Sequence, residues 1–149
     1  MKLVVDTNIL ITFFWKNSFF KKFSVYQNLE LISPEYALEE INKHSSEILK
    51  KTKLSKEEFN ALKRELAIMV EFIPLEKYSS SFKKAEKIAK NFSEKDKKDF
   101  LEDLDFFALA LEQNCIIWSN DKLFKKQSSV KIYSTKEIIG FISEILEQE

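Results

Sequence analysis

The amino-acid sequence predicts an α/β fold of three layers, with a central parallel sheet of four to five strands covered by helices on both faces. Three observations predict it. Short apolar runs rich in β-branched and aromatic residues recur along the chain, the pattern of strands buried on both faces. Helical patterns of ten or more residues separate most of them, and parallel strands require such crossovers. The length of 149 residues and an apolar share of 44% suit one core, so residues 1–149 are expected to form a single domain.

Taken in order, the strands are Leu3 to Val5, Leu29 to Ile32, Val70 to Ile73, Cys115 to Trp118 and Val130 to Tyr133. The third is the weakest, and Pro74 stops it. Helices are signalled to start at Thr7, at Ser33-Pro34 and at Ser55, where Ser55-Lys56-Glu57-Glu58 is a capping box. Ser134-Thr135-Lys136-Glu137 is another. The stretch Lys43 to Glu71 reads as two successive helices joined near Thr52 to Ser55, a hairpin standing off the sheet. Its Lys43, Lys50, Lys51, Lys53 and Lys56 are the densest basic patch, either a solvated helix face or an arm that contacts phosphates.

Composition removes several function classes. Lys plus Arg and Asp plus Glu both number 24, so a nucleic-acid partner would have to be held by local patches. One Gly rules out a Gly-rich phosphate loop. The single Cys115 excludes disulfide and zinc frameworks and reads as a buried, inert thiol. His44 is the only histidine, which closes mechanisms that need two imidazoles; it reads as an exposed helix residue. With no apolar run of about 18 residues and no signal-peptide core, a cytoplasmic protein without a membrane partner is expected. Phe13, Phe14, Trp15, Phe19, Phe20 and Phe23 crowd the N-terminal region. Most of these aromatics belong to the core, and the remainder offers a self-association face for a homodimer.

The informative residues are carboxylates. Ligands of an open parallel sheet bind beyond the carboxyl ends of the strands, and two strands here end in Asp: Val4-Val5-Asp6-Thr7-Asn8 and Ile117-Trp118-Ser119-Asn120-Asp121. Either Asp alone reads equally well as a helix N-cap. A helix opening around Asp99 carries the acidic run Asp99, Glu102, Asp103, Asp105, part of which the helix dipole explains. Phe100, Leu104, Phe107, Ala108 and Leu111 form its core stripe, and Asp103 and Asp105 flank that stripe on either side, so geometry leaves both open. In the Pro34 helix, Leu38, Ile41, Ser45 and Ile48 share a face that brings Glu40 nearer the buried boundary than Glu39.

Four segments resemble the PIN domains, especially the small prokaryotic ribonucleases that include the VapC-like toxins. These are Val4 to Leu10, Pro34 to Ile41, Asp103 with Phe107 to Glu112, and Ile117 to Lys122. They stand in family order across most of the chain. The resemblance implies a catalytic set of Asp6, Glu40, Asp103 and Asp121, with Ser119 and Asn120 supporting it. It favours Asp103 over Asp105, because the family's Asp stands nine positions before the Glu that Glu112 matches.

Several carboxylates gathered together imply a cation, and an oxygen-only set suits Mg²⁺ or Mn²⁺. Asp6, Asp103 and Asp121 are the expected metal ligands, with Glu40 orienting the attacking water or completing a second site. The resemblance further implies a metal-dependent endoribonuclease acting on RNA, leaving 5′-phosphate and 3′-hydroxyl ends. It also implies, for a toxin, a small antitoxin protein as partner. The alternative is a non-catalytic RNA- or protein-binding module on the same fold. A phosphatase-like reading is disfavoured, since Asn8 stands where the second Asp of an Asp-x-Asp pattern should be.

Overall fold

All five apolar runs join one sheet. In the computed structural model, which describes residues 1–24 and 28–147, the strands are β1 (Lys2–Val5), β2 (Glu30–Pro34), β3 (Val70–Ile73), β4 (Ile116–Trp118) and β5 (Ile132–Tyr133). Their order is β3-β2-β1-β4-β5, and every neighbouring pair is parallel. Leu3 pairs with Leu31 on one side and Ile116 on the other. Leu3, Val4 and Val5 have no exposed surface, as a central strand covered on both faces requires. β2 runs through Pro34, two residues beyond the expected end, so the next helix starts at Tyr36 rather than at Ser33-Pro34.

The N-terminal aromatics are spent largely on the core. Asp6 caps α1 (Thr7–Ile11) and Ser18 caps α2 (Phe19–Phe23). From these segments Phe20 and Phe23 pack on Trp118 with ring centroids 5.3 and 5.0 Å away. Phe13 and Phe14 are also buried, so of the crowded aromatics only Trp15 is left exposed and Phe19 half-buried.

β2 leads into α3 (Tyr36–Lys43), α4 (Ser45–Thr52) and α5 (Lys56–Met69). Lys53, with φ of 60°, ends α4, and the expected capping box opens α5, Glu58 N–H donating to Ser55 Oγ while Glu58 accepts from Ser55 N–H. The hairpin does not stand off the molecule as expected. Ile48, Phe59 and Leu66 are buried, and Phe59 stacks on Phe14 with centroids 4.8 Å apart. Burying an aromatic pair of this kind outweighs the solvation of a free-standing arm.

After β3 come α6 (Phe82–Ile88), α7 (Glu94–Glu102) and α8 (Leu104–Gln113), and α9 (Thr135–Glu147) follows β5. The helix expected around Asp99 is thus two helices, α7 begun by the Ser93 cap and broken from α8 at Asp103. The expected core stripe is redistributed accordingly: Phe106 to Ala110 are all buried, while Leu104 and Leu111 are only half-buried. A helix apolar all round lies inside the molecule, and α8 packs against β1, β2 and β4. Among the described residues no helix is long and apolar enough to cross a membrane.

Candidate active site

The chain places β2 and β3 to one side of β1 and then returns to lay β4 on the other. A crevice opens where the winding direction changes, beyond the carboxyl ends of β1 and β4. Asp6 and the Ser119–Asp121 segment stand there. Asp6 is a helix cap and a site residue at once: its Oδ1 accepts from Ile9 N–H at 3.2 Å, and Ser119 Oγ donates a short hydrogen bond to its Oδ2. Ser119 Oγ in turn accepts from Asp121 N–H at 3.0 Å. One buried hydroxyl therefore ties the end of β1 to the turn after β4. Asp121 is exposed and caps the short turn Lys122–Lys126, accepting from Leu123 N–H at 2.9 Å.

The helix break decides where Asp103 points its chemistry. Burial pushes its carboxyl up to about 7, reinforced by the negative fields of Asp6, Asp121, Glu40 and Glu102. Burial also raises Asp6, opposed by the Ser119 and backbone hydrogen bonds and assisted by Asp121. Glu40 is half-buried and raised chiefly by desolvation, with a smaller push from Asp105. Thr7 Oγ1 donates to its Oε1 at 2.6 Å, a contact between α1 and α3 that fixes the direction of the carboxylate. Asp6, Glu40, Asp103 and Asp121 thus come from four separate stretches of chain to within mutual electrostatic reach around Asp103. Among the described residues, no three His, Cys, Asp or Glu side chains converge closely enough to hold a metal ion as they stand.

The neighbouring acids sort differently. Glu39 is exposed, whereas Glu40 reaches inward. Asp105 accepts from the buried Tyr78 hydroxyl at 2.6 Å, and burial together with that carboxylate raises the phenol. Glu112 accepts from Ser81 Oγ at 2.6 Å and Ser80 Oγ at 3.2 Å, which makes it a tie between α8 and the loop before α6. The Tyr78 and Thr7 contacts carry no motif in the sequence, since each joins residues about thirty positions apart. Asn120 is held by Thr135, accepting from its N–H at 2.8 Å and donating to its Oγ1 at 3.0 Å. His44 sits partly exposed where α3 meets α4, 3.7 Å from Glu47. The thiol of Cys115 is half-buried rather than fully buried, and desolvation pushes it up to about 11, which keeps it protonated and unreactive.

Asp103 and Asp121 open onto an acidic groove of about 430 Å³ bordered by Asp96, Asp99, Glu102 and Lys126. On the other side of the Ser119–Asp121 segment a larger groove of about 520 Å³ is lined by Trp15, Phe19, Trp118 and Asn120. The lysines of the hairpin are exposed, and Lys51 pairs with Glu47 at 2.7 Å.

No curated protein matches the chain. Among solved structures, a chain of VapBC2 from Rickettsia felis, crystallised bound to a DNA fragment from the promoter, superposes with a TM-score of 0.65 at 17% identity. That match covers 90% of this chain and 98% of the other. A PIN domain profile matches residues 4–139, a span that contains all four acids, the end of β1 and the other four strands. The protein is a member of the PIN domain family.

Proposed function

We propose that this PIN domain is a metal-dependent endoribonuclease, the cytoplasmic toxin of a toxin–antitoxin pair, in which Asp6, Asp103 and Asp121 hold Mg²⁺ or Mn²⁺ and Glu40 directs the attacking water. The observation that carries the reading is the environment of Asp103, whose carboxyl is raised by burial and by Asp6, Asp121 and Glu40 together. Buried like charges are costly unless something neutralises them. The donors are all carboxylate oxygens, which fits a hard divalent cation and excludes a zinc-type site. The acids lie apart as described above, so binding requires them to draw inward, within the freedom of aspartate side chains on loop and helix ends. A divalent cation bound there supplies positive charge and Lewis acidity for phosphodiester hydrolysis.

The chain's own residues do the positioning. Asp6 is held by Ser119 and by Ile9 N–H, so its carboxylate is oriented before metal binds and the inward movement is left to the other acids. Glu40, oriented by Thr7, accepts a proton from water at the cleft. RNA as substrate and an antitoxin protein as partner are carried by the family resemblance, and the likeness in fold to a chain of the VapBC2 complex supports the partner.

Two measurements test the reading. Titrating Mn²⁺ into the wild type raises its melting temperature, because a ligand bound only by the folded state stabilises it; Asp6→Asn loses most of that rise. Equal stabilisation of both proteins removes Asp6 from the metal site. Incubation with single-stranded RNA and Mn²⁺ yields cleavage that a chelator abolishes. Metal-independent binding without cleavage instead supports a non-catalytic module.

A further inference from the structure

Among the described residues of the N-terminal region Trp15 is the one large aromatic that the fold leaves in solvent, at 37% exposure, and its indole has no ring partner or hydrogen bond among them. It is not on a loose loop. Trp15 N–H donates to Thr12 O at 3.1 Å, Ser18 N–H donates to Trp15 O at 3.2 Å, and Ser18 then caps α2. Trp15 lines the 520 Å³ groove together with the half-buried Phe19 and the buried Trp118. Lys16 and Asn17 stand at its rim, and neither side chain has a hydrogen-bond or ion-pair partner among the described residues.

The groove adjoins the acid cluster across the Ser119–Asp121 segment. Asn120, part of its lining, sits between Ser119, which bonds Asp6, and Asp121. Ile9 lines it too and donates its N–H to Asp6. A second, smaller groove that Trp15 also borders is lined by His44, Glu47 and Lys51, the last two paired at 2.7 Å.

Resting on the nuclease reading above, we propose that this groove is a subsite for one unpaired base of a single-stranded nucleic acid, which stacks on Trp15 while Lys16 takes the adjoining phosphate and Asn17 meets the base edge. The chemistry of the wall selects this occupant. A π-face exposed on a rigid turn, with a free cation and a free amide beside it, matches the stacking platforms that bind bases with little sequence preference. A duplex keeps its bases stacked on one another and cannot use such a ring. The groove thus makes single-strandedness, rather than a base sequence, the first requirement on the substrate.

The test uses full-length protein carrying Asp6→Asn, without divalent metal, and fluorescein-labelled octamers of uridine or adenosine beside a labelled RNA duplex. Anisotropy should show that adding Trp15→Ala weakens binding of both octamers about tenfold or more, that Trp15→Phe restores most of it, and that duplex binding is unchanged. Octamer binding should also quench the indole fluorescence that Trp15→Phe removes. A melting temperature for Trp15→Ala near that of its parent secures the comparison, and the Trp15→Phe quenching experiment stands even if the alanine variant is destabilised. Octamer affinity unchanged by Trp15→Phe and Trp15→Ala alike, with no quenching, overturns the subsite. So does a loss of duplex and single-strand binding by equal factors. Cleavage in Mn²⁺ by the protein with Asp6 intact is scored separately, so the nuclease reading can fail while the base subsite stands, and the reverse.

Discussion

Asp103 has the clearest consequence for solution behaviour. An Asp in an unfolded chain titrates near 4, whereas the fold holds this one near 7. The folded state therefore keeps a proton that the unfolded state has released between those values, and stability contributed by Asp103 is lost as pH rises through that window. Above about pH 7 the loss is complete. Asp103→Asn removes it, so in chelator at pH 8 the variant should be more stable than wild type by about 1–3 kcal/mol, a value reduced for the group's partial contact with solvent. At pH 4 the two should melt alike. Thermal unfolding at the two pH values checks this, and a destabilised Asp103→Asn at pH 8 contradicts the electrostatic picture. If Asp103 is a ligand, metal binding must displace its proton, so Mn²⁺ affinity measured by calorimetry should rise about tenfold from pH 6 to pH 8 and flatten thereafter. Glu40 offers a second residue-scale test. Thr7→Val removes its hydroxyl donor, and cleavage should fall at least tenfold with little change in melting temperature, because the carboxylate loses its orientation rather than its place.

At the scale of elements, the hairpin of α4 and α5 depends on one cap and one ring. Ser55→Ala deletes half of the capping box and should cost about 1 kcal/mol. Phe59→Ala empties the space against Phe14 and should cost about 3–5 kcal/mol. Denaturant unfolding measures both, and the larger value discriminates between a packed hairpin and the free-standing one expected from sequence. The sequence carried both helices and their junction, since capping and periodicity are local. It did not carry the docking, because Phe14 and Phe59 are 45 positions apart and nothing in either segment names the other. The same limit explains α7 and α8. Acidic composition and an apolar stripe read as one continuous helix, whereas the break at Asp103 separates Asp103, facing Asp6 and Asp121, from Asp105, bonded to Tyr78.

For the molecule as a whole, formal neutrality limits how strongly nucleic acid can be attracted at long range. Binding must rest on a few local cations such as Lys16 and the exposed lysines of the hairpin. The logarithm of single-strand affinity should therefore fall with the logarithm of salt at a shallow slope, roughly −0.7 for each phosphate neutralised, and a slope corresponding to three or fewer contacts is expected. A slope steeper than about −4 would mean that the exposed lysines of the hairpin engage the strand together.

The chain's linear pattern determined the α/β class, the five strands, the caps at Ser55 and Ser134 and the candidate acids at strand ends, because each is a property of neighbours in sequence: continuous apolar runs, local hydrogen bonding, punctuation by Pro, Ser and Asp. Only the tertiary structure decided the order β3-β2-β1-β4-β5, and with it which strand ends adjoin. It also decided that Ser119 reaches back across 113 positions to Asp6, that Thr7 holds Glu40, and that Trp15 remains in solvent beside them. Those are contacts between surfaces brought together by burial of a common core, and the free energy that selects them is summed over the whole molecule rather than written in any one segment.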